Sequence, residues 1–149
     1  MRALVQRVSG AAVHIDGGVC ARIERGLLIL LGIRTGDGEA EARFVADKCI
    51  NLRVFEDEGG KMNRSVRDIG GEILVVSQFT LYGDTRKGRR PSFGAAAPPP
   101  ESIPLYDRFV EIVRESGLRT ETGEFGAMMQ VELTNDGPVT LLVEKEATA

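Results

Sequence analysis

The sequence predicts an α/β fold, a mixed sheet or two packed sheets with both helices covering one face, and three features point to it. Strand-like segments outnumber helical ones by about four to one. Two aliphatic runs, 26–33 and 73–76, are unbroken enough to be strands covered on both faces. Helical spacing is confined to two stretches, beginning near 39 and near 102. With 149 residues, no internal repeat and no boundary signal, the chain is expected to form a single domain, 1–149, that needs no metal or disulfide for its core.

Residues 2–8 alternate as a strand does, and 11–15 with 19–23 read as a hairpin turned at Asp16-Gly17-Gly18. Residues 26–33 follow as a central strand, too short to span a bilayer. Asp37 is placed to cap a helix whose first turn holds Glu39 and Glu41 and whose stripe is Ala42, Val45, Ala46, Cys49 and Leu52. Strand character resumes at 53–55, and 56–67 is expected to be a polar loop with little core content. The strand at 73–76 runs into Ser77-Gln78-Phe79-Thr80. Residues 83–93 then set Arg86, Lys87, Arg89 and Arg90 among glycines, a proline and Phe93, and 95–100 is an alanine- and proline-rich extended spacer. A second helix is predicted with Ser102 as its cap, Pro104 in its first turn, a stripe of Leu105, Phe109, Ile112 and Val113, and Gly117 closing it. Three more strands are expected at 118–124, 128–134 and 139–144, the last two parted by the turn signal Asn135-Asp136-Gly137-Pro138.

Composition removes several function classes. A chain that is 42% hydrophobic and 28% charged is of the soluble globular kind. No apolar run approaches the roughly 18 residues of a membrane span, and Met1-Arg2-Ala3 leads into a strand pattern rather than a signal peptide, so a cytoplasmic protein with no membrane partner is expected. Cys20 and Cys49 lack CxxC spacing, which argues against a zinc knuckle or disulfide framework and for two buried thiols. No metal-ligand cluster is visible and no cofactor is expected. His14 is the one histidine and lies in an alternating stretch, so a hydrolase built on an imidazole base is poorly supported. A net charge of -3 is unlike a general nucleic-acid coat but leaves room for a local basic cluster. A P-loop, a GxGxxG after a strand, HExxH and GxSxG are all missing.

What remains is a short set of polar segments, each with two readings. Ser77, Gln78 and Thr80 end the buried strand, where they either satisfy backbone groups or form a site. The loop holding Lys87, Arg89 and Arg90 either faces solvent alone or meets phosphates. Gly137-Pro138 is by itself compatible with a plain type I or II turn.

These segments converge on one family. From Met1-Arg2-Ala3-Leu4-Val5-Gln6-Arg7-Val8 through Ser77-Gln78-Phe79-Thr80-Leu81, Lys87-Gly88-Arg89-Arg90-Pro91-Ser92-Phe93 and Asn135-Asp136-Gly137-Pro138-Val139-Thr140, the sequence resembles the D-aminoacyl-tRNA deacylases. The resemblance covers essentially the whole chain, with the motifs in the same order. It implies a three-layer α/β/β fold, two packed mixed sheets with two main helices on one face. It implies a homodimer with active sites at the subunit interface, a chiral proofreading hydrolase that cleaves the ester between a D-amino acid, or glycine, and the terminal adenosine of tRNA. The partner would be the 3′ acceptor end of an aminoacylated tRNA.

Roles follow residue by residue from the same resemblance. Ser77, Gln78, Phe79 and Thr80 would hold the ester, with backbone N–H groups near Phe79 and Thr80 as oxyanion donors. Gly137 and Pro138 would form a cis-peptide chirality filter aimed at the partner subunit's pocket, and Arg7 would brace it. Phe125 and Met129 would pocket the adenine, although Phe125 reads equally well as core, and Lys87, Arg89 and Arg90 would meet tRNA phosphates. Thr80 has no general base in its motif, so attack by water assisted by the terminal ribose 2′-hydroxyl is expected over a covalent threonine mechanism. The chain departs from the family pattern at Gly83, at Met128 and in the 95–100 connector. Two rivals are carried forward: a related editing deacylase for another mischarged tRNA, and a noncatalytic tRNA- or DNA-binding module.

Overall fold

A computed structural model describes residues 1–147. Strand β1 (Arg2–Ile15) turns through Asp16 and Gly17, both at positive φ as a tight hairpin requires, into β2 (Gly18–Ile23). Then come β3 (Gly26–Gly32), α1 (Glu39–Asn51), β4 (Phe55–Glu56), β5 (Met62–Arg64) and β6 (Glu72–Ser77). A 3-10 turn (Phe79–Tyr82), α2 (Pro99–Glu115), β7 (Thr120–Thr122) and β8 (Gln130–Glu144) complete the order. The main sheet runs β2-β1-β3-β6-β7, with β8 also on β1, and β4 and β5 form a separate pair. β6 lies parallel to β3 and β7 parallel to β6; the β1 pairings are antiparallel, so the sheet is mixed.

Side-chain alternation in β3 and β6 divides the interior. Leu27, Ile29, Leu31, Ile73 and Val75 face the helices and pack with Ala42, Val45, Cys49, Phe109 and Val113. Leu28, Leu74 and Val76 point the other way, onto Val8, Ala11, Val13, Ala21 and Ile23 from β1 and β2. β1 makes both layers possible. Its first half pairs β3 from Arg2 to Val8, its second half pairs β2 from Ala11 to Ile15, and bulged register shifts lie between. Helices, central strands and a folded-over outer layer give the expected three-layer α/β/β arrangement.

Several local expectations are corrected. Where two strands were predicted at each end of the chain, β1 and β8 are continuous, because their bulges interrupt the ladder without ending it. The N-cap of α1 is Gly38, whose N–H is taken by the Glu41 carboxylate at 2.8 Å. Asp37 instead accepts the Arg34 N–H at 2.8 Å and pairs with the Met1 ammonium at 2.7 Å, with both side chains excluded from solvent. Ile50 rather than Leu52 completes the buried stripe of α1. The 56–67 loop contains β5 and buries Val66 fully. Cys49 is buried, which pushes its thiol up to about 12, but Cys20 is exposed on β2.

The second helix starts three residues before its expected cap. Pro99 and Pro100 occupy its first positions, where a missing N–H costs no hydrogen bond. Ser102 and Pro104 therefore lie inside the helix, and its buried face adds Tyr106 and Val110 to Phe109, Ile112 and Val113, with Leu105 half-buried. Among the described residues, no helix is long and apolar enough to cross a membrane.

Candidate active site

β6 delivers the first part of the site. Its last ladder partner is Leu31 opposite Ser77, and the Gln78 N–H still reaches the Leu31 carbonyl at 2.7 Å. The chain then leaves the sheet and tightens into the 3-10 turn at Phe79–Tyr82, held by Leu81 N–H to Gln78 O at 3.2 Å. The first residues of such a turn have no acceptor within it, and no described backbone carbonyl takes the N–H of Phe79 or Thr80. Two backbone donors are therefore unengaged at the strand end. The Gln78 amide donates to the Thr80 hydroxyl, which has no other side-chain partner among the described residues. Among the described residues, no carboxylate or imidazole engages that hydroxyl.

A cavity of about 630 Å³ opens beside this turn. Phe79 and Phe93 form one wall, ring edge to ring face with centroids 5.2 Å apart. Gly83 permits the contact, since a Cβ there would stand 2.9 Å from Phe93 Cε1 and 3.0 Å from the Thr80 carbonyl oxygen. Phe125, Met129 and Val131 also line it. Phe125 is fixed by an edge contact with Tyr106, whose hydroxyl donates to the Val75 carbonyl at 3.1 Å. One aromatic on α2 thus ties the pocket wall to β6. Burial holds the Tyr106 phenol protonated, with its pKa raised.

The second part lies on β8. Thr140 pairs Gln6 and Asn135 pairs Val8, so residues 136–139 bulge out opposite Arg7 alone. The Gly137-Pro138 peptide bond in this bulge is cis. A Cβ on Gly137 would lie 2.6 Å from Val139 N and 2.7 Å from Val139 Cγ2, so no other residue fits. Asn135 clamps the bulge from within: its Oδ1 accepts the Val139 N–H at 2.7 Å and its Nδ2 donates to Val139 O and Thr140 Oγ1. Arg7, only 7% exposed, braces it from β1 by donating to Asp136 O and Val54 O, each at 2.7 Å. Gly137 and Pro138 themselves are exposed.

The basic loop is closed at its base by paired hydrogen bonds between Asp84 and Ser92. Arg86 folds back onto Asp84, which holds that carboxyl down at about 2. Lys87, Arg89 and Arg90 are exposed and make no ion pair among the described residues.

The structure therefore brings Ser77, Gln78, Phe79, Phe125 and Met129 together around one cavity, with Thr80 on the adjoining turn. Arg7 braces the Gly137-Pro138 bulge, and neither these residues nor Lys87, Arg89 and Arg90 are among those lining the cavity. Phe93 and Ser102 line the cavity without having been predicted there; the lone aromatic of the basic segment was the available signal for Phe93. Among the described residues, no group of three or more His, Cys, Asp or Glu side chains could hold a metal ion.

A turn with two amides unengaged among the described residues, beside an aromatic-walled cavity, defines a class first: an α/β enzyme fold with a candidate site at the end of β6. The chain belongs to the D-Tyr-tRNA(Tyr) deacylase family, whose model matches residues 4–144. It is 61% identical over 144 residues to a D-aminoacyl-tRNA deacylase of Brevibacillus brevis, covering 97% of this chain and 99% of the relative. A D-aminoacyl-tRNA deacylase of Geobacillus sp. is 56% identical over 149 residues, covering 100% of this chain and 98% of the relative. The solved structure of a c-Myc DNA unwinding element binding protein superposes with a TM-score of 0.93 at 44% identity, over 99% of this chain and 100% of that one. That of a probable eukaryotic D-amino acid tRNA deacylase shares the fold, with a TM-score of 0.82 at 19% identity over 95% and 97% of the two chains.

Proposed function

We propose that this chain is a cytoplasmic, homodimeric proofreading enzyme that hydrolyses the ester between a D-amino acid, or glycine, and the terminal adenosine of tRNA. The observation that carries the reading is the pair of unengaged Phe79 and Thr80 N–H groups at the mouth of the aromatic cavity. The adenine enters between Phe125 and Met129, and the ester carbonyl oxygen turns toward the two amides. Each such donor stabilises the tetrahedral oxyanion by about 3 to 4 kcal/mol. Water attacks the carbonyl carbon, assisted by the terminal ribose 2′-hydroxyl; the carbon–oxygen bond to the ribose 3′-oxygen then breaks, and that oxygen leaves as a hydroxyl. Free amino acid and tRNA result. No protein base is asked for, which suits a Thr80 whose hydroxyl, among the described residues, is engaged only by Gln78.

Chiral choice comes from the partner subunit. Carbonyls of its Gly137-Pro138 bulge enter the pocket, collide with an L-side chain and accept the amino group of a D-residue, while glycine has no side chain to exclude. The bulge residues are not among those lining the cavity, and Gly137 and Pro138 are exposed; both support an assembly across subunits. Among the described residues β8 pairs only β1, and Leu141 and Leu142 beyond the bulge are 42% and 53% exposed, an edge that a two-fold copy would cover. Lys87, Arg89 and Arg90 hold the acceptor-stem phosphates.

A second reading, a nucleic-acid-binding module without turnover, is favoured by the name of the structural relative at 44% identity. Deacylation of D-tyrosyl-tRNA ending in adenosine or 2′-deoxyadenosine tests both. The proposed enzyme cleaves the first and is slowed by orders of magnitude on the second. Binding of both with turnover of neither supports the module.

A further inference from the structure

Three polar side chains line the cavity: Ser77 and Gln78 at the strand end, and Ser102 on α2. Ser102 is 6% exposed and lies inside the helix. Its hydroxyl has no hydrogen-bond partner among the described residues. The usual local acceptor, the carbonyl one turn back, is already occupied, because Pro98 O accepts the N–H groups of both Glu101 and Ser102 at 2.9 Å. Although the residue is buried, its hydroxyl borders the open space of the cavity, where a bound ligand can reach it. Ser102 sits one helical turn before Tyr106, on the same face, and Tyr106 packs against Phe125. Tyr106 thus links the Ser102 turn of α2 to the Phe125 part of the cavity lining.

We infer that the Ser102 hydroxyl is a specificity-determining contact for the terminal purine, hydrogen-bonded to the polar edge of the base once it lies between Phe125 and Met129. The inference rests on the functional reading above. A hydroxyl both donates and accepts, so it can serve a ring nitrogen or the exocyclic amino group, while the other two polar side chains of the lining, Ser77 and Gln78, stand at the end of β6. Its contribution is to holding the nucleoside rather than to the chemical step.

The test compares wild type, Ser102→Ala and Ser102→Thr in two assays, steady-state deacylation of D-tyrosyl-tRNA and calorimetric binding of free adenosine. Loss of one neutral hydrogen bond is worth about three- to tenfold. Ser102→Ala is expected to raise KM and the adenosine Kd together by about that factor with kcat unchanged, and Ser102→Thr to recover most of the loss. The Tm of Ser102→Ala is expected to hold or rise, since alanine is the better helix former. Unchanged KM and Kd in Ser102→Ala overturn the inference, as does a fall in Tm with unchanged adenosine affinity, which would make the hydroxyl a packing element. Ser102-dependent adenosine binding by a wild type that cleaves no ester supports the contact and removes the deacylase reading instead. Failure of wild type to bind adenosine at millimolar concentration overturns the contact whatever the ester assay shows.

Discussion

Replacing Arg7 by alanine takes away the brace of the Gly137-Pro138 bulge, and its cost can be worked from two hydrogen bonds. Arg7 donates through Nη1 to Val54 O in the interior and through Nε to Asp136 O at the bulge, each at 2.7 Å. Without the guanidinium, the Val54 carbonyl is left unsatisfied among packed residues, a cost of about 1 to 3 kcal/mol. The Asp136 carbonyl is nearer solvent and can be rehydrated, so its loss adds about 0.5 to 1 kcal/mol. The sum, about 1.5 to 4 kcal/mol, corresponds to a fall in Tm of roughly 3 to 16 °C for a chain of this size. The assay is urea unfolding by circular dichroism at one fixed protein concentration, because association would couple stability to concentration. Arg7→Lys should fall between, since one ammonium cannot span both carbonyls in the fork geometry of arginine. A destabilisation below about 0.5 kcal/mol in Arg7→Ala would refute the reasoning, because surface-like behaviour would mean the two bonds carry no net weight. In the same variant, loss of D/L discrimination should exceed loss of tRNA binding, as the bulge and not the basic loop has been released.

Neutralising Lys87, Arg89 and Arg90 together should weaken tRNA binding and flatten the dependence of log K on log salt, by about 0.7 to 0.9 for each phosphate that is no longer neutralised, measured by filter binding across salt concentrations. An unchanged slope would leave the loop without a nucleic-acid role. Native protein at pH 8 should react with a disulfide reagent at one thiol per chain, because Cys20 is exposed while Cys49 is buried with its thiol pushed up to about 12. Unfolded protein should release two, and a Cys20→Ser variant should be inert until unfolded.

The layer plan was legible because β3 and β6 are apolar on both faces, which only a strand covered on both sides can be, and because the helical stripes are few. The strand-end polar residues were legible for the same reason: polarity after Val76 marks the point where cover ends. Continuity of β8 was not. Asn135-Asp136-Gly137-Pro138 has turn chemistry and does turn the backbone, but Thr140 returns to the same neighbour it left, pairing Gln6, and only the fold of β1 reveals that. Ser102 was misplaced by local logic, since serine before an apolar stripe reads as a cap, whereas prolines at 99 and 100 serve the first turn earlier. Asp37 was misread similarly; its carboxylate is captured by the Met1 ammonium, a pairing between segments that no local pattern encodes. Cys20 shows the limit of residue-type tendencies, because its side of β2 faces out.

The measurement that tests the central claim most directly is the hydrolysis of D-tyrosyl-tRNA and L-tyrosyl-tRNA, side by side, by wild type and by Gly137→Ala. A Cβ at 137 cannot be accommodated 2.6 Å from Val139 N, so the variant must displace the carbonyls of the bulge. Rapid loss of the D-ester alone in wild type, with that selectivity collapsing in Gly137→Ala, is the predicted result. Equal cleavage of both esters by wild type, or binding of both tRNAs with cleavage of neither, would contradict it.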